Sequence, residues 1–255
     1  MKNTLAISPT ALFYATCLLL IVLLESASCQ KVGYTITTNT ISENNKAPIY
    51  HIAAALPKIQ KTTADSTAAN RMNEVIDYYI KSQIEQFKTD ITLSQQIAQA
   101  DLTNSLAGEL EIKTNIGLKH ERLLSVNIST LYHNTAAAYP QYIEQFYTFD
   151  AQSGEALTLD RLFQAEPNYL AVIAAFVEPI IKDKQQTNQI TPDTLLIKEA
   201  TAPLLQNYSN FLLFPNHISF YFPYYKINPQ RQPDVWVNVP YSVIRPYLLK
   251  KYRWN

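Results

Sequence analysis

Apolar positions along the chain switch between two periods, and each switch predicts a change of element. Residues 32–41 (VGYTITTNTI) alternate in type and predict a strand. Residues 49–56 (IYHIAAAL) predict a second, with Pro57 as its stop. Met72, Ile76, Ile80, Ile84, Phe87 and Ile91 then recur every three or four residues, which is one face of a long helix. Asp65 or Ser66 is placed to cap it. From Glu109 the period returns to two. Leu110 and Ile112 alternate with charge, Ile116 and Leu118 follow, and Leu124, Val126, Ile128 and Thr130 form a cleaner strand. Residues 142–149 form another. Strands with no helix between them predict an antiparallel sheet with one wet face, the long helix covering the other.

The second half begins with TFDAQSGEALTLDRLF. A strand ends at Phe149, a turn runs from Asp150 to Gly154, and a helical turn starts near Thr158. Asn168 opens a helix whose apolar face comprises Tyr169, Val172, Ile173, Phe176, Val177 and Ile180, with a kink expected at Pro179. A further helical stretch is expected over residues 192–205. Residues 210–214 and 218–222 then pair as a hairpin around Pro215, Asn216 and His217. DVWVNV places Val235, Val237 and Val239 on one strand face, and a last helix runs from Pro240 and Ser242 to about Lys251. The fold class is therefore α+β. A strand–strand–helix–strands unit (residues 30–138) precedes a helix/hairpin/strand/helix unit (residues 139–255).

The N-terminus stands outside this pattern. One lysine, the 14-residue apolar run ALFYATCLLLIVLL and the small residues of ESASC have the layout of a signal sequence over residues 1–28. Ser26 and Ser28 suit cleavage after Ser28, while Ala27-Ser28-Cys29 is also compatible with lipidation at Cys29 and a membrane anchor there. Either way the expected location is exported, periplasmic or lipid-anchored. Cys17 lies inside this segment, so no internal disulfide is available to the mature chain.

Composition narrows the chemistry. With 47% hydrophobic and 16% charged residues in 255, the chain is globular. A net charge of zero gives no general attraction to nucleic acid. Charge is unevenly placed: six bases after residue 200 face Asp234 alone, so the C-terminal third is basic. The four glycines are at least nine residues apart, which excludes a P-loop and a GxGxxG loop. Four scattered histidines and no cysteine cluster give no metal motif, and no cofactor is expected. Asp150, Glu155 and Asp160 are the nearest carboxylates that could pair for acid–base work, although turn and cap duties explain them as well.

The densest feature is HISFYFPYYKINP, with five aromatic rings in six consecutive residues. Strand geometry sends Phe220 and Phe222 to one face and Tyr221 to the other, and Pro223 ends the ladder. Core and corner packing account for most of the rings. Tyr221 and Tyr224 are the candidate ligand contacts.

TFDAQSGEALTLDRLF, NFLLFPNHISFYFPYYKINP and VWVNVPYSVIRPYL together resemble the RsiV-like extracytoplasmic domain family over about residues 140–250. The resemblance is carried by Phe149, Asp150, Gly154, Leu157, Leu159, Asp160, Leu162 and Phe163, then by Phe220, Phe222, Pro223, Tyr225, Ile227, Pro240, Tyr241 and Ser242. Members are bacterial envelope proteins. Some are anti-sigma receptors that sense lysozyme, and others carry the module beside a polysaccharide deacetylase. The resemblance implies a binding or sensing module without catalysis of its own, with an envelope protein or a cell-wall glycan as partner. Lysozyme is a possible partner but is itself basic, and the basic C-terminal third disfavours it. The alternatives are a hydrolase of peptidoglycan or polysaccharide using Asp150 and Asp160, or a structural accessory of an envelope complex.

Overall fold

The stripe that predicted the long helix is buried along its whole length. Met72, Ile76, Ile80, Ile84, Phe87 and Ile91 all lie on the inner face of α1 (Thr67–Ile97), against the sheet. The structure, a computed structural model, describes residues 33–62, 66–97, 108–134, 137, 139–165, 168–228 and 233–253. The signal segment, Cys29 and the cap candidate Asp65 lie outside the described residues. α1 begins directly after Ser66.

The α+β class is as expected. Five strands form the larger sheet in the order β1-β2-β3-β4-β5. They are β1 (Tyr34–Lys46), β2 (Ile49–Lys61), β3 (Gly108–Lys119), β4 (Leu123–Asn134) and β5 (Gln141–Asp150). One pairing is not antiparallel: β2 and β3 run parallel over Tyr50–Ala54, because α1 lies between them in the chain and returns it to the same end.

Pro57 does not stop β2, which continues to Lys61. The reason lies in which way its backbone points. Past Ala54, β3 no longer pairs with β2, and that edge is patched by side chains instead. Asn73 of α1 accepts the Ile59 N–H at 2.9 Å and donates to its carbonyl at 2.8 Å, while Thr114 donates to the Ala55 carbonyl. Pro57 shares the parity of Ala55 and Ile59, so its missing N–H falls on the side where no ladder exists.

The face opposite α1 is not wet at the β4–β5 end. A three-stranded antiparallel sheet, β6 (Phe211–Leu213), β7 (His217–Phe222) and β8 (Val235–Pro240), packs there in the order β6-β7-β8. The Leu213 N–H donates to Ser125 Oγ at 3.0 Å, and Ser125 shares a buried hydrogen bond with Thr148. Gly117 sits at a β-bulge in β3, where any Cβ would strike the Leu213 carbonyl.

Beneath the smaller sheet lies the main apolar core, with α2 (Tyr169–Thr187) and α3 (Thr194–Ala200) packed against it. Asn168 and Asp193 cap these helices through their side-chain oxygens. The buried stripe of α2 is Tyr169, Ile173, Val177, Ile181 and Gln185, a narrower row than expected. Val172, Phe176 and Ile180 are only half-buried, and Pro179 lies on the solvent side of a helix that continues past it. The expected last helix is instead a single turn, α5 (Tyr241–Ile244), followed by two 3-10 turns at Arg245–Tyr247 and Lys250–Tyr252. Pro246 supplies no N–H to continue an α-helix.

Candidate functional site

β7 delivers the aromatic run to the rim of an open groove. Phe220 and Phe222 point into the core, where the Tyr208 ring meets both edge-on at 5.3 and 6.1 Å. Tyr221 takes the other face, between Phe146 at 5.5 Å and Trp236 at 5.1 Å, and is 7% exposed. Its hydroxyl donates to Asp234 Oδ2 at 2.7 Å. Asp234 Oδ1 accepts the Tyr224 N–H at 2.8 Å, so a single carboxylate ties strand and turn together. Burial, and secondarily the Asp234 bond, push the Tyr221 phenol far above its ordinary pKa, which keeps it a neutral donor.

Pro223 ends the ladder, and the chain turns through α4 (Tyr224–Ile227). Tyr224 is half-buried there and Tyr225 is 64% exposed, with the two rings edge-on. Alongside, the start of β5 brings Tyr139, 63% exposed, and Tyr142, 67% exposed. These two, with Tyr221, Tyr224, Tyr225 and three prolines (Pro140, Pro223 and Pro233), line a groove of about 770 Å³. Asp234 is the one charged residue among the described residues of the lining. Rings with a wet hydroxyl and an apolar body suit a ligand that is itself half-polar.

The structure thus brings both sequence candidates to one place, Tyr221 as the buried floor and Tyr224 as part of the wall. The three most exposed rings of the groove, Tyr139, Tyr142 and Tyr225, were not singled out as ligand contacts from the sequence. A signal was present in the Tyr-Pro-Gln-Tyr run at 139–142, where tyrosines flank a proline at a strand start.

The carboxylates separate instead of pairing. Asp150 Oδ1 accepts the N–H groups of Gln152 and Ser153, and Oδ2 accepts the Tyr252 hydroxyl at 3.1 Å. Burial raises the Asp150 pKa, but these bonds and the nearby Lys251 charge together outweigh it and hold the carboxyl below its ordinary value. Both oxygens are engaged in holding a corner. That corner closes on Gly154, whose φ of +75° and contact with the Ala68 backbone leave no room for a side chain. Asp160 and Glu155 are exposed, and Glu155 reaches only the Arg161 guanidinium at 3.9 Å. Among the described residues no group of histidine, cysteine and carboxylate side chains is arranged to hold a metal ion.

The basic C-terminal segment is partly absorbed by the fold. Arg253 donates to the carbonyls of Leu248 and Pro246, and the Lys251 ammonium lies 4.5 Å over the Tyr252 ring.

This α+β frame is one that other proteins share. Residues 160–242 match the family described as "Protein of unknown function (DUF3298)". Solved structures of two DUF3298 proteins have the same fold. One, from Bacteroides fragilis NCTC 9343, superposes with a TM-score of 0.60 at 17% identity, covering 86% of this chain and 95% of that one. The other, from Pseudomonas aeruginosa PAO1, gives 0.53 at 11% identity, covering 87% and 96%. Peptidoglycan-N-acetylmuramic acid deacetylase PdaC of Bacillus subtilis (strain 168) is 20% identical over 182 residues, which is 71% of this chain. The chain spans 37% of that relative's length. Tyr221, Tyr224, Tyr225 and Asp234 fall inside the DUF3298 match, whereas Tyr139 and Tyr142 precede it.

Proposed function

We propose that this chain is an exported binding or sensing module of the cell envelope, related to the RsiV-like domains, which holds its ligand in the tyrosine groove and performs no catalysis of its own. The observation that carries this is the groove itself. Three tyrosines, each more than 60% exposed, converge from two distant segments over a floor pinned by the Tyr221–Asp234 bond. Clustered tyrosines with most of their ring surface exposed are a feature of recognition surfaces. Export is supported by the signal-like layout of residues 1–28. A cell-wall setting is supported by the name of the deacetylase relative, whose wall substrate belongs to that protein. No helix among the described residues is long and apolar enough to cross a membrane.

Retention of the full chain on isolated peptidoglycan sacculi and on immobilised envelope proteins tests the proposal, with lysozyme as a separate arm. The double variant Tyr142→Ala/Tyr225→Ala is expected to keep its unfolding midpoint and lose retention. Retention equal to the unaltered chain in every arm would falsify the groove assignment. Mass spectrometry of the mature N-terminus decides Cys29, since an unmodified or missing cysteine excludes the lipid anchor.

A further inference from the structure

The outer edge of β5 is open over part of its length, and the pattern of its closure shows which groups are open. At its C-terminal end the Leu157 N–H donates to the Thr148 carbonyl and the Asp150 N–H to the Glu155 carbonyl, around an isolated bridge between Phe149 and Ala156. Thr148 and Asp150 therefore point their backbone groups away from β4. By the two-residue period of a strand, Tyr142, Glu144 and Phe146 do the same. Among the described residues no strand pairs with β5 on this side, and the Phe146 carbonyl is met only by the Gln145 amide.

Two hollows flank this open run. The tyrosine groove borders it at Tyr142, and an apolar hollow of about 540 Å³, lined by Phe146, Leu157, Leu205 and Phe211, borders it at Phe146. Between them sits Glu144. Its Oε2 accepts from Asn127 Nδ2 and Ser129 Oγ, both at 2.7 Å, and no basic side chain pairs with it among the described residues. On β1, the opposite edge of the same sheet, the carboxylate of Glu43 is already paired with the Lys88 ammonium at 2.8 Å. The outward positions of β1 are mostly exposed polar residues, which is how native edges are kept unattractive.

From this geometry we infer that β5 takes up an extended peptide of a partner protein as an added strand, with a lysine or arginine opposite Glu144 and bulky residues seated in the two hollows. The inference rests on the tyrosine groove being a ligand site, and names the class of ligand. Main-chain bonds to Tyr142, Glu144 and Phe146 supply the affinity common to strand addition, and the hollows and the carboxylate supply the selectivity. Charge is what selects this occupant. A second copy paired antiparallel about Glu144 would set two Glu144 carboxylates opposite each other, a destabilising cross-strand pair. A basic residue in that place neutralises a charge that no cation among the described residues pairs with.

The test is selection of random heptapeptides displayed on phage against the full chain, followed by synthesis of the enriched peptides. The expected winners alternate bulky and polar residues around one lysine or arginine. Methylating their alternate amide nitrogens on one edge lowers affinity about tenfold or more, through lost backbone bonds. Glu144→Gln lowers it about threefold and removes the preference for a base. Bound peptide slows amide hydrogen exchange at Tyr142, Glu144 and Phe146 and leaves β1 unchanged. Absence of enrichment, winners indifferent to amide methylation, or exchange protection that follows dimerisation without peptide each overturn the inference. Retention on sacculi or envelope proteins that depends on Tyr142 and Tyr225, without any peptide enrichment, removes the strand addition and leaves the groove standing. Peptide binding that ignores Tyr225→Ala does the reverse.

Discussion

The two ends of β5 differ in how completely their polar and aromatic groups are used. At the C-terminal end, Asp150 spends both carboxylate oxygens on the corner and on Tyr252, 102 residues away, while Gly154 presses against α1. At the N-terminal end, Tyr139 and Tyr142 expose most of their surface, no strand among the described residues pairs with the outer edge, and a groove begins. Both ends carry residue types that do chemistry in other proteins. Only the second keeps most of its ring surface in contact with solvent, and a group buried in holding the fold is a poor candidate for holding a ligand.

Substitutions sharpen this contrast, and the largest effect belongs to the closed end. Gly154→Val forces a branched residue into φ of +75° and into the Ala68 backbone, and should cost about 2–4 kcal/mol in denaturant unfolding. A loss below about 0.5 kcal/mol would mean that the corner is not fastened to α1 as described.

Asp150→Ala comes next. It leaves two N–H groups and the hydroxyl of the buried Tyr252 without their acceptor and should cost about 1–3 kcal/mol near neutral pH. Because the folded carboxyl is held below its ordinary value, its stabilisation is complete above the unfolded pKa of about 3.9 and is lost as pH falls through the folded value. The variant should therefore unfold with a flatter dependence on pH in that acid range. Two parallel acid limbs would contradict the corner.

Tyr221→Phe tests the floor of the open end. It removes one hydrogen bond while Asp234 keeps the Tyr224 N–H, so a loss of about 1 kcal/mol is expected, with ligand retention reduced but present. The smallest stability effect belongs to Tyr225→Ala and Tyr142→Ala. Each should change stability by no more than about 0.5 kcal/mol, since neither ring is buried, while weakening ligand retention. A large stability loss at either position would make those rings structural and erase the difference between the two ends.

The sequence by itself determined the elements whose cause is local. The apolar spacing from Met72 to Ile91 specifies α1 because only one helix face can be buried. Asn168 specifies the start of α2 because its side chain meets the Ala171 N–H within the same turn. The alternation from Leu124 to Thr130 marks a strand in the same way, and Phe220 and Phe222 were legible as core because a strand period assigns them one face.

The tertiary structure alone decided whatever depends on a partner far away in the chain. Pro57 is harmless because β3 has already turned away and Asn73 serves the neighbouring backbone, a fact that no local pattern contains. Pairing of β2 with β3 is parallel because α1 intervenes between them. The groove exists because Tyr139 and Tyr142 are brought to Tyr221, Tyr224 and Tyr225 from some 80 residues away by the packing of one sheet on another. Burial is a property of the assembled surface. The same residue type becomes floor at Tyr221 and open rim at Tyr225, and a four-residue separation in sequence carries no sign of the difference.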